Sequence, residues 1–62
     1  MENVELTVEG NTLTITVDLT KDLGLSKSGK TRMIATSRGN VEIPGSNGAV
    51  LGLNVYRYAT PR

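Results

Sequence analysis

Residues 4–19 alternate strictly between apolar and polar side chains, and that pattern limits the opening third of the chain to one kind of structure. Val4, Leu6 and Val8 alternate with Glu5, Thr7 and Glu9, and Leu13, Ile15, Val17 and Leu19 alternate with Thr12, Thr14, Thr16 and Asp18. Period-two runs rich in β-branched residues are strands with one solvated face. Between them lies Gly10-Asn11, a pair that tolerates the positive φ of a two-residue hairpin turn. Such a turn pairs Glu9 with Thr12, Val8 with Leu13, Leu6 with Ile15 and Val4 with Val17. Every apolar residue then meets an apolar one, and threonine and acid occupy the other face. Turn and pattern agree, so residues 1–19 are expected to be a hairpin.

The rest of the chain reads as further β structure. Residues 20–30 form a basic connector, in which Thr20 can cap a single helical turn that Gly24 ends. Leu23 and Leu25 are expected to plug one end of the core, and residues 26–29 have no apolar anchor and are expected to be mobile. Residues 32–37 read as a third strand, Arg38-Gly39-Asn40 as a turn, and residues 41–43 as a fourth strand stopped by Pro44, giving a second hairpin over residues 31–43. Residues 44–48 form a loop. The last strand, residues 49–58, has apolar residues on both faces, so it is expected to be central or to pair across a subunit boundary. Gly52 within it suggests a bulge or a close backbone approach. Residues 59–62 read as a frayed tail. The expected fold is all-β and a single domain, residues 1–62. Two hairpins and a C-terminal strand would make a five-stranded small barrel or an antiparallel sheet, completed by dimerisation.

Composition narrows the function. A chain of 62 residues buries only about 60% of its unfolded surface. With no Cys, Phe or Trp, its core must be aliphatic and unstapled, which makes a homo-oligomer the expected reinforcement. The lack of His and Cys removes the usual proton shuttle and the commonest transition-metal ligands. Glu5, Glu9 and Asp18 share a threonine-rich face that reads as a solvated surface, and Asp18 and Asp22 lack the spacing of a calcium loop. The expectation is therefore a non-enzymatic protein without metal or cofactor. The acidic N-terminus has no apolar signal segment, and no apolar run reaches the roughly 20 residues of a membrane span, so a cytoplasmic protein that avoids membranes is expected.

Charge is unevenly distributed. Residues 1–18 carry −4, residues 19–40 carry +4, and residues 41–62 carry +1. Lys27, Lys30, Arg32 and Arg38 form a basic arc on the connector and third strand, with Arg32 and Arg38 in the same strand parity. Serine, threonine and asparagine among them add neutral donors, a mixture suited to phosphate oxygens. Tyr56 and Tyr58 alternate with Arg57 and could stack bases if their strand lies beside the arc. The expected partner is nucleic acid, contacted by Lys27, Lys30, Arg32, Arg38, Tyr56 and Arg57. The alternative is a structural or protein-interaction module whose acidic hairpin face and basic arc pair between subunits.

Two resemblances follow from particular residues. Residues 4–13 (VELTVEGNTL), Ser28-Gly29-Lys30-Thr31, Ile34-Ala35-Thr36, Gly39-Asn40 and Gly52-Leu53-Asn54-Val55-Tyr56 together resemble a group of small uncharacterised bacterial and phage proteins over nearly the whole chain. That resemblance implies a small β protein and no particular activity. The order of two strands, a basic Gly-Lys connector and further strands is also similar to small single-strand-binding transcriptional coactivators, although the C-terminal dimerisation helix of that group has no counterpart here.

Residues 24–31, GLSKSGKT, match the G-x-x-x-x-G-K-T loop of nucleotide hydrolases. That loop works between a buried strand and a helix that begins at Lys-Thr, where amides and helix dipole hold phosphates and Thr holds Mg²⁺. Here the alternating run ends at Leu19, well before Gly24, and the residues after Thr31 read as a strand. No nucleotide is expected to bind. Titration with ATP or GTP and Mg²⁺ is expected to give no micromolar binding; binding abolished by Lys30→Ala would overturn this.

Overall fold

The fold is that of a computed structural model that describes residues 1–59. It contains β1 (Glu5–Glu9), β2 (Thr12–Thr16), β3 (Gly24–Leu25), β4 (Thr31–Glu42) and β5 (Val50–Tyr58), with no helix among the described residues. The protein is all-β. Its strands form two antiparallel sheets, β1-β2 and β3-β4-β5, which do not close into a barrel.

The first hairpin has the register its alternation dictates: Glu9 pairs with Thr12, Val8 with Leu13 and Leu6 with Ile15. Gly10 takes the positive φ, 57°, that the turn requires. No helical turn follows. Asp18 instead accepts hydrogen bonds from the Thr20 amide (2.9 Å) and hydroxyl (2.6 Å), and Asp22 accepts one from the Gly24 amide (2.8 Å). These side-chain acceptors favour turns over a helix. The segment expected to be mobile is a closed loop between β3 and β4, with the Ser26 amide donating to the Thr31 carbonyl (2.8 Å) and that of Gly29 to the Ser26 carbonyl (3.0 Å).

The second hairpin is not the one expected. β4 runs unbroken through Arg38-Gly39-Asn40 and pairs along its length with β5. Arg38 (φ 55°) and Gly39 (φ 86°) do adopt left-handed backbone, but the conformation makes a bulge rather than a reversal. The reversal lies at residues 44–48, where the Ile43 amide donates to the Ala49 carbonyl (2.9 Å) and the Ser46 hydroxyl bonds the Ile43 carbonyl. β4 is therefore the central strand. β5 lines one of its edges, and β3 and Glu2 share the other, the Glu2 and Thr36 backbones exchanging bonds of 2.9 and 3.1 Å. The last strand, expected to be central or to pair across a subunit boundary, is not central but an edge strand of its own chain; its apolar residues on two faces follow from one half-buried face and one exposed face. The expected tail beyond Ala59 lies outside the described residues.

β4 has 12 residues and β5 has nine, and two bulges on β4 absorb the difference. The first skips Ile34, since Met33 pairs with Tyr56 and Ala35 with Val55. The second sets Ser37, Arg38 and Gly39 against Leu53 alone, between the pairs Thr36–Asn54 and Asn40–Gly52. Gly52 sits at that exit, where an added Cβ would come 2.8 Å from the Asn40 Oδ1; the close approach expected there is made by a side chain.

A bulge leaves backbone groups without ladder partners, and buried orphans are costly. Side chains fill both gaps. Asn3 Nδ2 donates to the Ile34 carbonyl (2.9 Å) and to the Asp18 carbonyl (2.8 Å), tying the base of the hairpin to the central strand. The Ser37 hydroxyl, 2% exposed, accepts the Leu53 N–H (2.9 Å), donates to the Gly39 carbonyl and lies 3.3 Å from the Leu53 carbonyl.

The core is correspondingly thin. Ile34, Ala35 and Ile43 are its buried apolar residues, while Leu23 and Leu25, expected to plug one end, are exposed. A radius of gyration of 13.4 Å exceeds the value of about 11 Å typical of a compact chain this long, so the shape is elongated. Ser37→Ala is expected to cost about 1–3 kcal/mol in urea unfolding, the penalty for stranding a buried donor. Thr7→Ala, on the exposed hairpin face, is expected to stay within about 0.5 kcal/mol.

Candidate nucleic-acid interface

Strand pairing decides which of the basic and aromatic residues can act together. Thr31 pairs with Tyr58, Arg32 with Arg57 and Met33 with Tyr56. Side chains alternate across a sheet, so Arg32 and Arg57 share one face and Tyr56 and Tyr58 share the other. The bulge at Ile34 lies between Arg32 and Arg38, and Arg38 itself stands within the three-residue bulge, so their matching sequence parity no longer places them on one face.

Arg32, Arg38 and Arg57 are engaged within the chain. Arg32 Nε donates to Asp22 Oδ2 at 2.6 Å, and Arg57 Nη2 donates to the Leu19 carbonyl at 2.9 Å. Both bonds brace the connector against the β4–β5 ladder. Arg38 Nη2 forms an ion pair with Glu2 Oε1, joining the bulge to the N-terminal bridge. These pairs remain solvent-accessible, and their arginines are partly neutralised before any partner arrives.

The lysines differ. Lys27 and Lys30 are exposed on the β3–β4 loop, and neither ammonium group has a hydrogen-bond or ion-pair partner among the described residues. Hydrogen bonding shapes the loop around them: the Ser26 and Ser28 hydroxyls lie 3.2 Å apart, and the Lys30 amide reaches the Ser28 hydroxyl at 3.4 Å. The Ala59 amide donates to the Lys30 carbonyl at 2.9 Å, which holds the end of β5 against the loop. Tyr56 and Tyr58 are each 51% exposed, with ring centroids 6.1 Å apart at an interplanar angle of 86°. Around the other edge of β4, Lys27 and Arg38 line one shallow, open depression of about 430 Å³ together with Glu2, Met33 and Thr36.

The G-x-x-x-x-G-K-T stretch thus supplies β3, a hairpin loop and the first residue of β4. Lys30 and Thr31 lead into a strand, so no helix N-terminus faces the loop. Among the described residues no group of three or more Asp and Glu side chains is placed to hold a metal ion, and no helix is long and apolar enough to cross a membrane. Sequence reasoning located the basic residues and missed their partners. Asp22 is ten positions from Arg32, and Glu2 is 36 from Arg38. The one legible hint was the excess of acid before residue 19 and of base after it. Comparison with protein-family models, with curated proteins and with solved structures finds no match to this chain.

The Arg32 side-chain hydrogen bond, followed by that of the Gly24 amide, holds the Asp22 carboxyl below its ordinary pKa of 3.8. The Thr20 hydroxyl and amide do the same for Asp18, and the Asp22 bond raises Arg32. A depressed carboxyl contributes stability that is fully present above its unfolded pKa and is lost as pH falls through the folded one. Urea midpoints are therefore expected to be flat down to about pH 5 and to decline below about pH 4. Asp22→Asn is expected to make that decline shallower and to lower the plateau above it; an unchanged profile would mean that the Asp22–Arg32 pair does not brace the connector.

Proposed function

We propose that this is a small non-enzymatic binding protein that contacts nucleic-acid phosphates through Lys27 and Lys30, with Tyr56 and Tyr58 offering apolar ring surface to bases beside them. The observation that supports the reading is the Ala59–Lys30 backbone bond with the Thr31–Tyr58 pairing, which brings the backbone at the base of the lysine loop alongside the end of the strand that carries the exposed tyrosines. Phosphates require charge and donors but little fixed geometry, which a lysine- and serine-rich loop provides. Aromatic faces stack on bases without regard to sequence, so single-stranded nucleic acid fits this corner better than a duplex. Arg38 extends the basic surface around the β4 edge. Arg32 and Arg57 serve by holding the connector in place, and their charge adds to the local field.

The alternative, self-association through the acidic hairpin face and the basic arc, has its own support. Glu5 and Glu9 stand exposed on β1 among the threonines of β1 and β2, a face of one sign opposite in charge to the loop. Both readings involve the lysines and differ in what their removal does.

A gel-shift and salt titration with single- and double-stranded oligonucleotides tests the proposal. Affinity is expected to fall steeply between low and moderate salt. Lys27→Ala combined with Lys30→Ala is expected to weaken binding to all sequences alike and to reduce the log–log salt slope by about 2. Absence of binding at low salt, or a flat salt response, would exclude this function. Loss of an oligomer in the double variant would favour the alternative.

A further inference from the structure

The free edge of β5 lacks the devices that usually guard a sheet edge. In an antiparallel ladder the N–H and C=O of one residue project to the same side, and successive residues alternate. Ala49, Leu53 and Ala59 direct theirs toward β4, as their bonds to the Ile43 amide, the Ser37 hydroxyl and the Lys30 carbonyl record. Val50, Gly52, Asn54 and Tyr56 therefore project theirs away from it. Edge strands are ordinarily blunted by charge, proline or a bulge. Residues 43–56 contain no charged residue and no proline after Pro44, and both bulges of this sheet lie on β4.

We propose that this edge is a homodimer interface, in which β5 pairs antiparallel with β5 of a second copy across a two-fold axis at Leu53. The occupant follows from the sequence of the strand. About this axis Val50 pairs with the partner's Tyr56 and Gly52 with the partner's Asn54, each pair exchanging two backbone hydrogen bonds. Leu51 lies opposite the partner's Val55, and Leu53 meets the partner's Leu53. Every apolar residue from Val50 to Tyr56 thereby faces an apolar one, and Arg57 faces the partner's Ala49. Moving the axis to Asn54 sets Arg57 against Leu51 and asparagine against itself; moving it to Gly52 shortens the match. Val50, 58% exposed, and Tyr56, 51% exposed, are the exposed large apolar residues of this segment, and this register covers each with the other. The two three-stranded sheets become one of six strands, which supplies the area that three buried apolar residues do not.

This inference does not rest on the nucleic-acid reading, although the dimer would cover Tyr56 with the partner's Val50 and leave the stacking role to Tyr58; its tests are run without nucleic acid. Sedimentation at micromolar concentration is expected to give about twice the chain mass of 6.6 kDa, as a closed two-fold pair requires; a monomer would overturn the proposal. Asn54→Pro deletes an outward N–H and leaves the β4–β5 backbone bonds intact, so it is expected to yield a monomer with a retained β spectrum. Persistence of the dimer would exclude this edge. The chain has no cysteine, which permits a second readout that does not depend on that variant folding. Leu53→Cys places two thiols at a non-hydrogen-bonded pair, with Cα atoms about 4.5 Å apart, inside the range a disulfide spans. Oxidation is expected to cross-link it nearly completely and Ser28→Cys hardly at all, whereas the reverse ranking would place the interface elsewhere. Lys27→Ala with Lys30→Ala is expected to remain dimeric, so failure of one proposal leaves the other standing.

Discussion

A central strand of 12 residues is paired with an edge strand of nine, and the rest of the structure accommodates that mismatch. Three surplus residues cannot be hidden in a regular ladder, because every backbone group inside a protein needs a partner. They are gathered into two bulges, and each bulge is closed by one short polar side chain. Ser37 replaces a missing rung opposite Leu53, and Asn3 takes the carbonyl that the bulge at Ile34 leaves unpaired. The insertion at Ile34 breaks the alternation there, and the consecutive residues Ile34 and Ala35 are both buried. Core, sheet and hairpin attachment all depend on this arrangement.

The charged residues answer a second problem, the placement of a connector with no helix and little buried apolar surface. Asp18 and Asp22 shape its turns through their own neighbours, and Arg32 and Arg57 fasten it to adjacent strands. Exposed pairs of this kind contribute little individually, but here they act on a segment that has few other restraints. The division of labour among the basic residues follows. Those on strands face fixed acceptors and serve architecture, whereas Lys27 and Lys30 on the loop have none among the described residues.

The legibility of the sequence was uneven for physical reasons. The first hairpin could be read residue by residue because alternation and turn chemistry pointed to one register, and side-chain period two admits no slip without exchanging faces. Arg38-Gly39-Asn40 was ambiguous in kind. Residues that tolerate positive φ serve a reversal or a bulge equally, and the choice depends on where the partner strand lies, which local sequence does not contain. The same bulges spoiled parity as a guide to the basic arc. Glu2 and Asp22 could not be matched to their arginines without the fold, although the opposed charge of the first two segments carried a trace of it. The loop position of Lys27 and the shared face of Tyr56 and Tyr58 could be read directly, because neither depends on the order of the strands.

Asn3 carries a chemical consequence of its own. It sits in left-handed backbone at φ 58°, with its amide nitrogen between two carbonyls and its oxygen 3.4 Å from the Asp18 N–H. Only a carboxamide offers donor and acceptor in that order. Hydrolysis of the amide to a carboxylate, the common ageing reaction of asparagine, would set a negative oxygen against the carbonyls of Asp18 and Ile34. The covalent change is a single nitrogen, yet it falls where the hairpin is hinged to the central strand. Loss of that one amide would thus act on the joint between the two sheets rather than on the ladder of either one.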